Sequence, residues 1–162
     1  MSAEGRLQIR HFHFQSSKGW VLTPIIAEYY SISDCIFTWP CALVLSCYLL
    51  STCGIYTEGD QSITNDKTKS SMSICQGKHI LELGSGTGLA SVVAGHLNAK
   101  SCVMTDRSKE ECAVVHQLMN YNIALNKLQT VIHTVNMLLV LYMYSNLYEY
   151  MYSNLYEYDI YV

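Results

Sequence analysis

Apolar and polar residues alternate along Leu7 to Phe14 (Leu7, Ile9, then Phe12, Phe14), which predicts a strand or hairpin arm leading to Val21-Leu22, a cap or edge element. The pattern then changes. From Cys35 to Tyr56 no charged residue occurs. Pro40, whose ring suits a first helical turn, predicts a buried helix running from there through Ala42-Leu43-Val44-Leu45 to about Leu50. An uncharged run of this length is also long enough to cross a bilayer. Pro40 near its start, Ser46, Ser51 and Thr52 within it, Gly54 near its end and the lack of flanking basic residues argue against a span. Thr57 to Lys78 is polar and has no periodic apolar face, so it reads as a surface loop.

A regular rhythm follows: strand His79 to Leu83, a glycine turn, helix Leu89 to about Leu97, strand Ser101 to Thr105, helix Ser108 to about Ala124, strand Thr130 to Val135. Ser108 with Glu111 forms a capping box, and Cys112, Val115, Leu118 and Met119 keep helical spacing. Such alternation predicts an α/β fold, a Rossmann-like, doubly wound and mostly parallel sheet. Any pocket then lies at the carboxyl ends of its first two strands.

A length of 162 residues holds one domain. Net charge is −3, and Glu149, Glu157 and Asp159, near the C-terminus, account for the excess of acids. No Lys/Arg stripe exists, so no nucleic-acid partner is expected. Seven cysteines without a CxxC pair, behind an opening with no apolar signal core, predict reduced thiols and a cytoplasmic or nuclear location. Cys35, Cys41, Cys47 and Cys53 recur every six residues, a step that turns each away from the last on a helix. His11 and His13 have no carboxylate or thiol near them in sequence, so no metal site is expected.

The glycine turn carries the chemistry. Ile80-Leu81-Glu82-Leu83-Gly84-Ser85-Gly86-Thr87-Gly88-Leu89 joins an apolar strand, an acid and three alternate glycines, the composition of a backbone loop that a ligand approaches closely. A dinucleotide fingerprint would need glycine at position 89, which is leucine, and a P-loop would need Lys and Ser or Thr where Leu89 and Ala90 stand. NAD and ATP are both disfavoured. Asp106 closes the next apolar run, Cys102-Val103-Met104-Thr105, eighteen residues after Gly88.

The motif Glu82-x-Gly84-x-Gly86-x-Gly88 resembles the first motif of class I S-adenosylmethionine-dependent methyltransferases. With Phe37-Thr38-Trp39-Pro40-Cys41-Ala42-Leu43-Val44-Leu45 ahead of it and Asn122-Ile123-Ala124-Leu125-Asn126 behind Asp106, the chain is similar to the lysine- and arginine-directed protein methyltransferases of family sixteen, from about Val21 to Asn136. The resemblance implies S-adenosyl-L-methionine as cofactor. Trp39 would contact it, Gly84, Ser85 and Gly86 of the Glu82 to Gly88 motif would line its amino-acid end, Glu82 would support the loop, and Asp106 would hold the ribose. Beside the loop the Glu82 carboxylate also suits the ammonium and sulfonium charges of such a ligand. Met137 falls where the family has a tryptophan near the cofactor's base. By the same resemblance the partner is a protein substrate, a histone or another nuclear or cytosolic protein.

Past Asn136 the likeness stops. The family's fourth strand, its Asp-x-x-Tyr-like motif and three further strands have no recognisable counterpart, and Asp159-Ile160-Tyr161 lacks the spacing. The chain carries instead a tandem octad, Met143 to Tyr150 repeated as Met151 to Tyr158, with eight of the thirteen tyrosines in the final twenty-one residues. The organisation expected is an N-terminal extension with a cap helix (1–56), a polar surface loop (57–78), the cofactor-binding half of a methyltransferase domain (79–136) and a low-complexity tyrosine-rich tail (137–162). The sheet is then incomplete, with an unpaired edge. No catalytic residue can be named. Two rival readings stay open: a non-catalytic cofactor-binding isoform or interaction protein, and a small membrane protein using Cys35 to Tyr56 and Val131 to Tyr144.

Overall fold

The N-terminal arm is two short strands that part at Phe12-His13. In the computed structural model, which describes residues 5–17, 19–31, 35–53, 73–107, 109–128, 131–136 and 159–161, the Phe12 N–H donates to the Pro24 carbonyl (3.0 Å) between β1 (Arg6–His11) and β2 (Phe14–Gln15). β2 pairs antiparallel with β3 (Val21–Leu22). β1 pairs antiparallel with β4 (Ile25–Tyr30), and β4 with β5 (Cys35–Ile36), giving a small sheet of order β1-β4-β5. All six residues of β1 are exposed, as its edge position requires. β4 has no counterpart in the sequence reading: Ile26, Ala27 and Glu28 are all buried, so the strand does not alternate, and a charged residue is rarely a sign of a buried strand.

α1 (Pro40–Ser51) starts and ends where Pro40 and the apolar run predict. The expectation of a buried helix is corrected. Only Ser46, Leu49 and Leu50 are buried, while Val44 and Tyr48 are 70% and 53% exposed. Apolar residues surround α1 on all sides, so packing one face leaves others in solvent. Among the described residues no helix is long and apolar enough to cross a membrane.

The principal sheet follows the predicted rhythm to within two residues at each boundary: β6 (His79–Glu82), α2 (Leu89–His96), β7 (Ser101–Asp106), α3 (Lys109–Asn126) and β8 (Val131–Asn136). β9 (Asp159–Tyr161) then pairs parallel with β6, Leu81 opposite Ile160, and the order is β8-β7-β6-β9. β6-β7 and β7-β8 are parallel too. The edge of β6 is thus paired by a three-residue strand whose sequence carries no apolar alternation to announce it, and among the described residues the sheet is incomplete, as expected, with four strands. Ser108 of the capping box, Met137 and the tandem octad lie outside the described residues.

α2 is buried from Leu89 through Gly95, as befits a helix apolar all round, and packs with α1, Ile80 and Cys102 in one core. A second core joins α3, through Val115, Leu118 and Met119, to Ala27, Ile36 and Met104. The end of the polar loop is anchored: Ser73 and Cys75 are buried, and Ser73 Oγ donates to the Leu97 carbonyl (2.8 Å).

Two asparagines of α3 complete β4. β5 pairs only with Tyr29 and Tyr30. Further along, Asn122 Oδ1 accepts from the Ala27 N–H (2.6 Å) and its Nδ2 donates to the Ala27 carbonyl (3.1 Å), while Asn126 does the same for Ile25 (2.9 and 2.6 Å). A carboxamide carries the donor and acceptor of a peptide group, and residues four apart share a helix face, so the pair continues the ladder where β5 stops.

Candidate functional site

β6 and β7 end side by side, and the loop between β6 and α2 is fastened across them. The Ser85 N–H donates to the Thr105 carbonyl (2.7 Å), the Thr105 N–H returns to Ser85 Oγ (3.1 Å), and Thr105 Oγ1 donates to the Glu82 carbonyl (2.9 Å). The Gly86 N–H donates to Asp106 Oδ2 (2.7 Å), and Asp106 Oδ1 accepts from the Arg107 N–H (2.8 Å). Each Asp106 oxygen keeps lone-pair capacity for a further donor.

The loop glycines have positive φ for two different ends. At Gly84 and Gly86 (φ +65° and +53°) nothing lies within 4 Å of where a Cβ would stand, so that side is open. At Gly88 (φ +78°) a Cβ would stand 1.7 Å from Met104 Cε, so this glycine lets α2 start against β7.

Glu82 leaves β6 toward α2. Its Oε2 accepts from the Ser91 N–H (3.1 Å) and Ser91 Oγ (2.5 Å), capping one of the amides that the helix start leaves without a partner. Burial pushes its carboxyl up to about 7 against the hydrogen bonds from Ser91 and Ser85, with Asp106 adding a smaller push the same way. The folded chain thus keeps a proton that the unfolded chain releases near 4.5. The domain is expected to lose stability as pH rises from about 4.5 to about 7 and to stay at the lower level above that. Glu82→Gln should flatten this slope and exceed the wild type by about 3 kcal/mol at pH 8, read by urea denaturation at several pH values.

Facing the loop stands an aromatic wall. Pro40 holds Trp39 extended (φ −67°, ψ 149°), and the Trp39 ring stacks on Phe37 (4.9 Å, 27°). Trp39 is 61% exposed, so its ring is not part of the core. Behind the wall, Glu28 is fully buried and accepts from the Thr38 N–H (2.8 Å), Arg10 Nη1 (3.1 Å) and Tyr30 OH (2.7 Å). Burial alone would raise its carboxyl, but these hydrogen bonds outweigh it and hold it below the ordinary value. Thr38 Oγ1 shares a hydrogen bond with Thr87 Oγ1 (3.1 Å), and Asn122 Nδ2 donates to the Thr87 carbonyl (2.8 Å).

Wall and loop enclose an open cleft of about 580 Å³. Of the residues singled out from sequence, Trp39, Glu82, Gly84, Ser85 and Gly86 line it together. Gly88 and Asp106 are not among its lining residues and stand in the packing and loop contacts just described. Phe37, Tyr48 and Thr87 line it as well, and the sequence reading assigned them no role, though Phe37 and Thr87 fall inside the two segments it quoted. Among the described residues Glu82 is the one charged member of the lining. Among the described residues no cluster of metal-ligating side chains occurs.

A parallel sheet of this order, with a glycine loop at the carboxyl end of β6 and acids closing β6 and β7, defines a class I methyltransferase domain of Rossmann-like fold. The family model for lysine methyltransferases matches residues 25–156, and the chain belongs to that family. No curated protein matches it. Of solved structures, a Streptococcus mutans protein assigned as a S-adenosylmethionine-dependent methyltransferase is 15% identical over 86% of this chain and 30% of its own, with a TM-score of 0.49. Another protein assigned as a methyltransferase, solved with S-adenosylhomocysteine, is 15% identical over 86% of this chain and 29% of its own, with a TM-score of 0.51, a likeness of fold. This chain spans less than a third of the length of either.

Proposed function

We propose that the cleft binds S-adenosyl-L-methionine and that the chain serves methyl transfer to a side-chain nitrogen of a protein of the cytosol or nucleus, lysine in the first place and arginine in the second. The observation that carries the reading is the open side of Gly84 and Gly86, a cradle that any Cβ would fill, set opposite Trp39 with Glu82 as the charge between. Family membership supports the reaction type and the lysine acceptor. A cleft of this size is within the range that small-ligand sites occupy.

The residues fit the cofactor's chemistry. Gly84, Ser85 and Gly86 would hold its amino-acid end, Trp39 its apolar surface and Asp106 its ribose hydroxyls. When bound, the cofactor supplies an electrophilic methyl group. Trp39 and Phe37 keep water from that side of the cleft, and the Glu82 carboxylate faces positive charge. Because a cation favours ionised Glu82, affinity is expected to rise with pH through about 7.

Calorimetry with S-adenosylhomocysteine is expected to show one site per chain. Transfer of a labelled methyl group from S-adenosylmethionine to protein lysines, by purified chain, tests the second half. A folded chain that takes up no S-adenosylhomocysteine overturns the cofactor reading. Binding without transfer overturns the transferase half and leaves the non-catalytic reading in place.

A further inference from the structure

We propose that Glu28, which does not line the cleft, is a positioning residue for it, fixing the gap between the aromatic wall and the glycine loop through Thr38 and Thr87. Its carboxylate grips the Thr38 N–H at 2.8 Å, next in sequence to Trp39, and the Thr38 hydroxyl reaches Thr87 at 3.1 Å. Thr38 is thereby held from both sides, its backbone from β4 and its side chain from the loop. The β4 anchor is in turn fixed by the Tyr30 hydroxyl and by Arg10, whose side chain is 43% exposed on the outermost strand.

Such a residue is costly if its task is only to stabilise. A buried carboxylate gives up its hydration, and an apolar residue of similar size in its place is often neutral or better for stability. What a carboxylate offers here is direction: two oxygens accept three donors from three separate segments, the β1 strand, the β4 strand and the residue entering α1. Asn122 meets the same loop from the other side, through the Thr87 carbonyl, so Thr87 is clamped between α3 and the wall. Loosening Glu28 leaves the Asn122 contact in place and frees the wall alone.

The affinity readout of the test rests on the cofactor reading above; the second readout does not. In a Trp20→Phe background Trp39 is the sole tryptophan, and its fluorescence anisotropy in ligand-free protein reports how firmly the wall is held. Glu28→Gln is expected to lower that anisotropy and weaken S-adenosylhomocysteine binding about tenfold, the worth of a hydrogen bond to a charged group. Thr87→Val should weaken it similarly, and the double variant should lose no more than the worse single one, because both cut the same connection. Arg6→Ala, on the same exposed strand, should leave both readouts unchanged. If Glu28→Gln does not fold, Arg10→Met decides by the same two readouts. A loss of melting temperature with anisotropy and affinity intact, or strictly additive losses in the double variant, overturns the proposal. If the wild type binds no S-adenosylhomocysteine, the cofactor reading fails while anisotropy still decides on Glu28.

Discussion

Gly86→Val is expected to reduce S-adenosylhomocysteine binding by more than about a hundredfold while the domain stays folded. The backbone there has φ +53°, and a branched side chain in the left-handed region costs about 1–2 kcal/mol. Nothing lies within 4 Å of the new Cβ, so no clash adds to that cost, and the Gly86 N–H can still reach Asp106. The valine methyls then occupy the space through which a ligand would approach the loop. Circular dichroism melting and calorimetry on one sample separate the two effects. Gly88→Ala should show the reverse balance, because its Cβ would meet Met104 Cε at 1.7 Å in the core, away from the cleft. Binding by Gly86→Val equal to wild type would place the ligand somewhere else.

Asn122→Ala is expected to be the most damaging single truncation for stability, by about 3–5 kcal/mol in urea denaturation. Asn122 is fully buried and serves three backbone groups: the N–H and carbonyl of Ala27 and the carbonyl of Thr87. A methyl group leaves all three without a partner, at about 1–3 kcal/mol for each that water does not reach. A domain stable by about 5–15 kcal/mol loses much of its reserve. Asn122→Asp is no remedy, since the carboxylate keeps the acceptor for Ala27 but turns an oxygen on two carbonyls. A loss under about 1 kcal/mol would show that β4 is held by its other contacts.

What the sequence reveals, and what it hides, follows from how many surroundings share one spelling. The run from β6 to β8 is legible because strand and helix periods differ and Pro40 and the loop glycines punctuate them. β4 is hidden because Glu28, fully buried among three donors, is spelled like a surface acid. The partial exposure of α1 is hidden for the opposite reason: a helix apolar on every face gives no sign of which face is covered. Gly84, Gly86 and Gly88 look equivalent as letters, yet two open onto the cleft and one admits a neighbour, a distinction that Met104 makes and spacing does not. Asn122 and Asn126 were visible as part of a family signature, but their task appears only when β4 is seen to outrun β5.

The asparagine ladder also sets an order of events. The hydrogen bonds from Asn122 and Asn126 join residues 95 and 101 positions apart. Closing loops of that span costs chain entropy that local contacts do not repay, and such contacts come late in folding. β4 is synthesised early yet lacks the partners for half its edge until α3 has been made. Since the same carboxamide of Asn122 holds the Thr87 carbonyl, the glycine loop and the strand behind the aromatic wall are expected to take their final places together. The pocket is therefore expected to be among the last parts of the chain to form, whatever the order in which its residues leave the ribosome, and pulsed hydrogen exchange at the Ala27 amide checks it.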